Sequence, residues 1–234
     1  MTITVLKASQ RPNMRFVPVK AVEQQDIQNF HRQREHIKKE RTALVNQVRG
    51  LLAEYGVTIN KGVKAVRVEL PYILEDAENG LIELARELFL EHLDELHALD
   101  DRFKQCEKRI KTMNQQNEIC HRLDEILGIG PIAASAAYAA AGDGKDFENG
   151  RHFSAWLVLV PRQHSTGGKL VLLGISKRGN AYLRILFIHG ARAVLRHSAN
   201  KTDRFSLWAQ ALSARRGHSK ACVAVANKMP ASPE

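Results

Sequence analysis

"LHALDDRFKQCEKRIKTM", residues 96–113, sets apolar side chains at Leu96, Leu99, Phe103, Cys106, Ile110 and Met113. Alternating steps of three and four residues bury one narrow stripe of a helix, the a and d spacing of a coiled-coil seam. Neither Pro nor Gly interrupts residues 81–117, so a single long helix is expected there. Its acids lead (Glu83, Glu87, Glu91, Asp94, Glu95) and its bases follow (Lys104, Lys108, Arg109, Lys111), an order that suits the helix dipole. Such a stripe needs a cover. Two covers are open: an antiparallel helix of the same chain, or a second copy.

Toward the N-terminus, residues 23–55 lack Pro and carry only Gly50. In "ERTALVNQVRGLLAEYG" Leu44, Val45, Val48, Leu51 and Leu52 share one face, and Gly56 is placed to cap the helix end. Residues 57–80, with Gly62, Pro71 and Gly80, read as a broken connection. Residues 1–20, with Pro12 and Pro18, read as a short extended piece.

Toward the C-terminus the composition changes near Cys120, and a domain boundary is expected at about residue 118. The chain has 234 residues, 44% of them hydrophobic, and a formal charge of +10. Residues 151–220 hold 13 Lys/Arg and one acid, Asp203; the rest hold 22 bases and 24 acids. The excess therefore sits in one segment, and it points to a polyanionic partner. Cys106, Cys120 and Cys222 form no C-x-x-C pair and are odd in number, which suggests reduced thiols of a cytoplasmic protein and no zinc cluster. No apolar run reaches spanning length, and "MTITVLKASQ" is too short and polar for a signal peptide.

Three motifs lie in the basic part. "ILGIGPIAA" (126–134) has the order of a helix-hairpin-helix: apolar helix end, Gly128-Ile129-Gly130 turn, then a helix opened by Pro131. Its free N–H groups could meet a DNA phosphate; an ordinary corner between helices stays open. In "FSAWLVLVPRQHSTGGK" (153–169), Phe153, Trp156, Leu157 and Leu159 anchor a loop in which Ser165 precedes Gly167-Gly168. A serine needs neighbouring charge to attack phosphate, and Arg162, His164, Lys169, Lys177 and Arg178 could supply it; a plain structural turn remains the alternative. A helix then follows Asn180, burying Leu183, Leu186, Phe187, Val194 and Leu195 and exposing His189, Arg192 and Arg196 together. His189 reads as a solvated or packed residue before it reads as a base.

The string from Leu127 through "HSTGGK" and "GISKRGNAYLR" to His197 resembles the C-terminal transposase domain of the insertion-sequence one-ten family. More narrowly it is similar to the eleven-eleven subgroup, related to the Piv DNA invertases. The resemblance is dense over about 119–228 and extends back through "RTALVNQVRGLLAEYG" to "RPNMRFVPVK" at about residue 11. It implies a recombinase with an N-terminal RuvC-like domain whose four acids hold divalent metal, then a helical coiled coil. A C-terminal domain follows, whose serine links covalently to DNA. It also implies a bridge RNA as guide and an oligomeric active form. By resemblance the serine is Ser165, with Ser176 as the alternative.

The acids of the metal site should stand just before "RPNMRF", where this chain has "MTITVLKASQ"; its first acid is Glu23. Asp94, Glu95, Asp100 and Asp101 read as a solvated helix face and not as replacements. "MPASPE", with Pro230 and Pro233, breaks a helix that the family continues. The expectation is a chain truncated at both ends, with no metal site and no cofactor of its own.

The expected fold is mainly α: a RuvC-like remnant over 1–20, a helical coiled-coil region over 21–118, and a basic helix-hairpin-helix domain with little β structure over 119–234. Expected DNA contacts are Gly128, Gly130, Arg162, Lys169, Lys177, Arg178, Arg184, Arg192 and Arg196. Expected partners are DNA, the guide RNA and further copies through the helical region, with no membrane. The expected function is that of a DNA-binding transposase fragment. Two alternatives stand beside it: a serine strand transferase active with an intact copy, and a coiled-coil interaction protein.

Overall fold

A computed structural model describes residues 19–176 and 178–231. The RuvC-like piece expected at the N-terminus lies almost wholly outside these residues, as do Lys177 and Pro233. The architecture is mainly α, as expected. Helix α1 (Val22–Glu54) is followed by α2 (Val63–Glu75), α3 (Glu83–Gln116), α4 (Glu118–Asp124), α5 (Pro131–Ala141) and α6 (Gly150–Trp156). Strands β1 (Pro161–Thr166) and β2 (Lys169–Ile175) come next, then α7 (Ala181–Ser198), α8 (Arg204–Arg216) and α9 (His218–Lys228).

The apolar stripe of α3 is covered within the chain. Helices α1 and α3 run antiparallel, as their cross-links show: Arg34 to Glu107 at 2.7 Å and Gln47 to His92 at 3.2 Å. Leu44, Val45, Val48 and Leu52 of α1 are buried with Leu96, Leu99, Cys106 and Ile110 of α3 in one core. Helix α1 ends as Gly56 predicts: at φ +76° it turns the chain so that Val57 N–H reaches Leu52 O and Gly56 N–H reaches Ala53 O.

Residues 57–80 are not a broken connection. They contain α2, with Pro71 inside it and Val66 and Leu70 fully buried. Proline removes one helix hydrogen bond, and two buried side chains four residues apart outweigh that loss. Asp100 also departs from expectation. It is 5% exposed, lies 2.5 Å from Arg41 of α1, and pairs with Arg67 of α2. A carboxylate where three helices cross replaces water with two guanidinium groups. Asp94, Glu95 and Asp101 are exposed.

A second core joins α5, α7, α8 and α9 through Ala134, Leu183, Phe187, Ala191, Ala209 and Val225. Helix α1 is tied to it. Gln24 donates to Tyr138 O at 3.1 Å, and Asn117 donates to Glu23 at 2.9 Å. All three cysteines are free and buried. No helix among the described residues is long and apolar enough to cross a membrane.

Candidate nucleic-acid interface

Ser165 sits on a β-hairpin and not in an irregular loop. β1 and β2 pair antiparallel, with Ser165 opposite Leu170 and Thr166 opposite Lys169. The two residues between the strands are Gly167 (φ +58°) and Gly168 (φ +75°), a turn in which both central residues need positive φ. That requirement is why the Gly pair follows the serine. Every residue of β1 is exposed, so Arg162, His164 and Ser165 all stand in solvent, as does Lys169. Gln163 shares a strand face with Ser165 and donates Nε2–H to Ser165 Oγ at 2.9 Å. As the acceptor there, the Ser165 hydroxyl keeps its own proton available to donate.

The hairpin is held at its base. Of the expected apolar anchor, Leu157 and Leu159 are buried and Phe153 is half-buried, whereas Trp156 is exposed. Between the two leucines Val158 adopts φ +59°, a conformation that strains a β-branched residue by about 1–3 kcal/mol. Gly179 closes the other side, where a Cβ would stand 2.9 Å from Val158 Cγ2. Arg184, expected on DNA, is 7% exposed and donates to Arg178 O at 2.7 Å and Leu157 O at 3.4 Å. It cross-links the two strands of the neck from inside the domain. Ser176 is half-buried and accepts from Arg178 N–H at 3.1 Å, which makes it a turn residue. The Arg178 side chain is exposed.

Gly128 and Gly130 form the turn between α4 and α5. Gly128 has φ +88°, and Gly130 is the exposed N-cap of α5. The turn lies on the middle of α7: a Cβ on Gly190 would stand 1.9 Å from Gly128 O, and one on Gly128 would stand 2.6 Å from Val194 Cγ2. The exposed His189, Arg192 and Arg196 lie on the other side of α7, away from the face that Gly190 and Val194 present to this turn. Helix α7 therefore carries the hairpin's neck near its start and the turn at its middle. Sequence reading missed Gly190, although a lone glycine within "FIHGARA" is a signal of close backbone approach.

A buried polar chain joins α1 to both ends of this surface. His31 lies 3.0 Å from Tyr182 Oη and 3.1 Å from Ser135 Oγ. Ser135 Oγ is 2.7 Å from Pro131 O, and a carbonyl only accepts, so Ser135 donates there. His31 Nε2–H then donates to Ser135, and Nδ1 accepts from Tyr182 O–H. Burial, helped by the Arg34 charge, lowers the His31 pKa to about 4 and keeps the ring neutral. Burial raises the Tyr182 pKa to about 12.

The hairpin thus presents an exposed hydroxyl among exposed cations. Residues 120–206, which hold every candidate site residue, match the model of the IS116/IS110/IS902 transposase family. The transposase for insertion sequence element IS1111A of Coxiella burnetii is 48% identical over 224 residues, 96% of this chain and 62% of its own length. A "probable family 20 transposase" of Pseudomonas aeruginosa is 48% identical over 225 residues, 96% of this chain and 67% of its own.

The chain belongs to the IS116/IS110/IS902 transposase family.

The transposase for insertion sequence element IS1328 of Yersinia enterocolitica is 33% identical over 227 residues, 66% of its length. This family member thus spans about two thirds of the relatives it matches. Among its described residues no group of three or more His, Cys, Asp and Glu is placed to hold a metal ion.

Proposed function

We propose that this chain is the DNA-gripping, serine-bearing part of an insertion-sequence transposase. The observation that carries the reading is the placing of Ser165 two residues past Gln163 and three past Arg162, on a Gly-Gly hairpin whose first strand is exposed throughout, with Lys169 just past the turn. Duplex phosphates would meet Arg192 and Arg196 on the outer face of α7 and, separately, the Gly130 N–H, with the α4–turn–α5 unit acting as a helix-hairpin-helix. The hairpin would bring Ser165 Oγ to one phosphodiester. Oγ attacks phosphorus, the Oγ–P bond forms, the P–O bond to the departing deoxyribose oxygen breaks, and the serine proton leaves to the departing oxygen through solvent. The phosphoserine bond conserves the energy of the broken diester, so a DNA hydroxyl can later displace the serine and reseal.

Divalent metal, a guide RNA and further copies of the chain belong to the same reading. The metal would be held by acids that are not in this chain. The RNA would choose the site, and association would run through the α1–α3 region. The two long helices already cover each other's seam, so association would use their outer faces.

Titration of a DNA duplex against salt tests the grip. With about six phosphate contacts, affinity should fall roughly 10³-fold over a few-fold rise in salt. Binding that stays flat with salt would remove the reading and leave the chain an interaction protein.

A further inference from the structure

A second basic surface lies away from the C-terminal domain, on the helical pair. Two adjoining hollows of about 550 and 160 Å³ open between α1 and α3 and share Phe30, Gln105 and Arg109, so they form one groove. Arg102, Lys108 and Gln33 complete its walls. Among the described residues no carboxylate lines either hollow. The single acid within 102–113 of α3, Glu107, is held by Arg34 at 2.7 Å. The half-buried Phe30 ring forms part of the wall, with the Arg109 guanidinium 6.0 Å from its centroid.

We propose that this groove binds a single-stranded polynucleotide. Three exposed cations without a carboxylate suit a phosphate backbone. An aromatic ring with an arginine over it suits an unstacked base, which a duplex does not offer. The amides of Gln33 and Gln105 and the hydroxyl of Thr112 can meet base edges or sugar hydroxyls. A second copy of the chain fits worse, because a two-fold contact would set Arg102, Lys108 and Arg109 against their own images. The proposal uses no residue of the hairpin and does not depend on the serine reading.

The test uses the full chain and a labelled strand of about 16 nucleotides, as DNA and as RNA of the same sequence, beside a duplex. The variant replaces Arg102, Lys108 and Arg109 by Gln, all three exposed. Single-strand affinity should fall about tenfold or more, and its salt slope should drop by about 2, from three contacts at roughly 0.7 each. Duplex affinity, read by the C-terminal surface, should not move. Gln105→Glu alone places a carboxylate in the groove and should weaken single-strand binding several-fold without lowering thermal stability. A loss for either the DNA or the RNA strand supports the groove and tells which it takes. Unchanged affinity for both strands would overturn it. An equal loss for the duplex would overturn it too, as would a changed sedimentation mass, which assigns the groove to a second copy.

Discussion

His31 Nδ1 and Tyr182 Oη meet at 3.0 Å across 151 positions of sequence. The contact joins the first helix to the first turn of α7, just past the hairpin's neck. Through Ser135 the same ring reaches Pro131, at the glycine turn. One buried imidazole thus bridges α1 to both parts of the proposed DNA surface.

The neutral ring makes stability depend on acid. Its folded pKa, about 4, lies below the ordinary 6.5, so the unfolded chain takes the proton first as pH falls. The contribution is complete above pH 6.5 and is lost progressively down to about pH 4. By pH 5 the loss amounts to about 2 kcal/mol. Urea unfolding at pH 7 and pH 5 should show the gap between the parent and His31→Gln shrinking at the lower pH. An unchanged gap would mean that the ring is not held neutral.

Gly190→Ala should be among the costliest single changes in the domain. The new methyl would collide with backbone at Gly128 O, and neither α7 nor the turn can give way alone. A loss of about 2–4 kcal/mol is expected in thermal unfolding. Gly130→Ala is the control: its φ of −99° is ordinary and a Cβ there meets nothing within 4 Å, so it should cost less than about 1 kcal/mol.

The arginines of α7 should separate into two classes. Arg184→Met leaves Leu157 O and Arg178 O without this donor at the neck and should destabilise by about 2–3 kcal/mol. Arg192→Gln and Arg196→Gln, both exposed, should leave melting within about 0.5 kcal/mol. Each should instead reduce the salt slope of duplex binding by about 1.

Leu99→Lys puts a charge at a site only 4% exposed, inside the seam between α1 and α3. Because that seam is closed within the chain, circular dichroism should show melting, while sedimentation of the remaining folded protein shows no change in mass. A mass change without melting would place the seam between copies. Calorimetric titration with Mg²⁺ or Mn²⁺ should find no site tighter than about millimolar, since such ions need clustered carboxylates.

Periodicity made the long helices legible. Leu96, Leu99, Cys106 and Ile110 are buried as their spacing requires, and Gly56 ends α1. The partner of the seam was not legible, because a/d spacing is the same for a hairpin and a dimer. Helix α2 was hidden by Pro71, a residue read as a breaker whose cost the burial of Leu70 offsets. At the candidate site, side-chain type located the cations but not their depth. Arg184 and Arg192 look alike in sequence, yet one lies inside the neck and the other outside. The Gly pair announced a turn, but "LVLLGI" after it lacks the alternation of a half-buried strand, since both faces of the hairpin meet solvent. His31, one of two imidazoles in a polar helix, carried no signal.

The most direct test traps the covalent link. This chain would be mixed with an end-labelled duplex and a full-length relative whose own serine is replaced, so that the acidic domain comes only from the relative. Ser165 should become joined to DNA through phosphate, and Ser165→Ala should abolish the adduct while duplex affinity stays within about twofold, since one hydroxyl adds little beside many phosphate contacts. An adduct that survives Ser165→Ala would contradict the account and turn attention to Ser176, and a collapse of binding itself would make Ser165 a structural part of the turn.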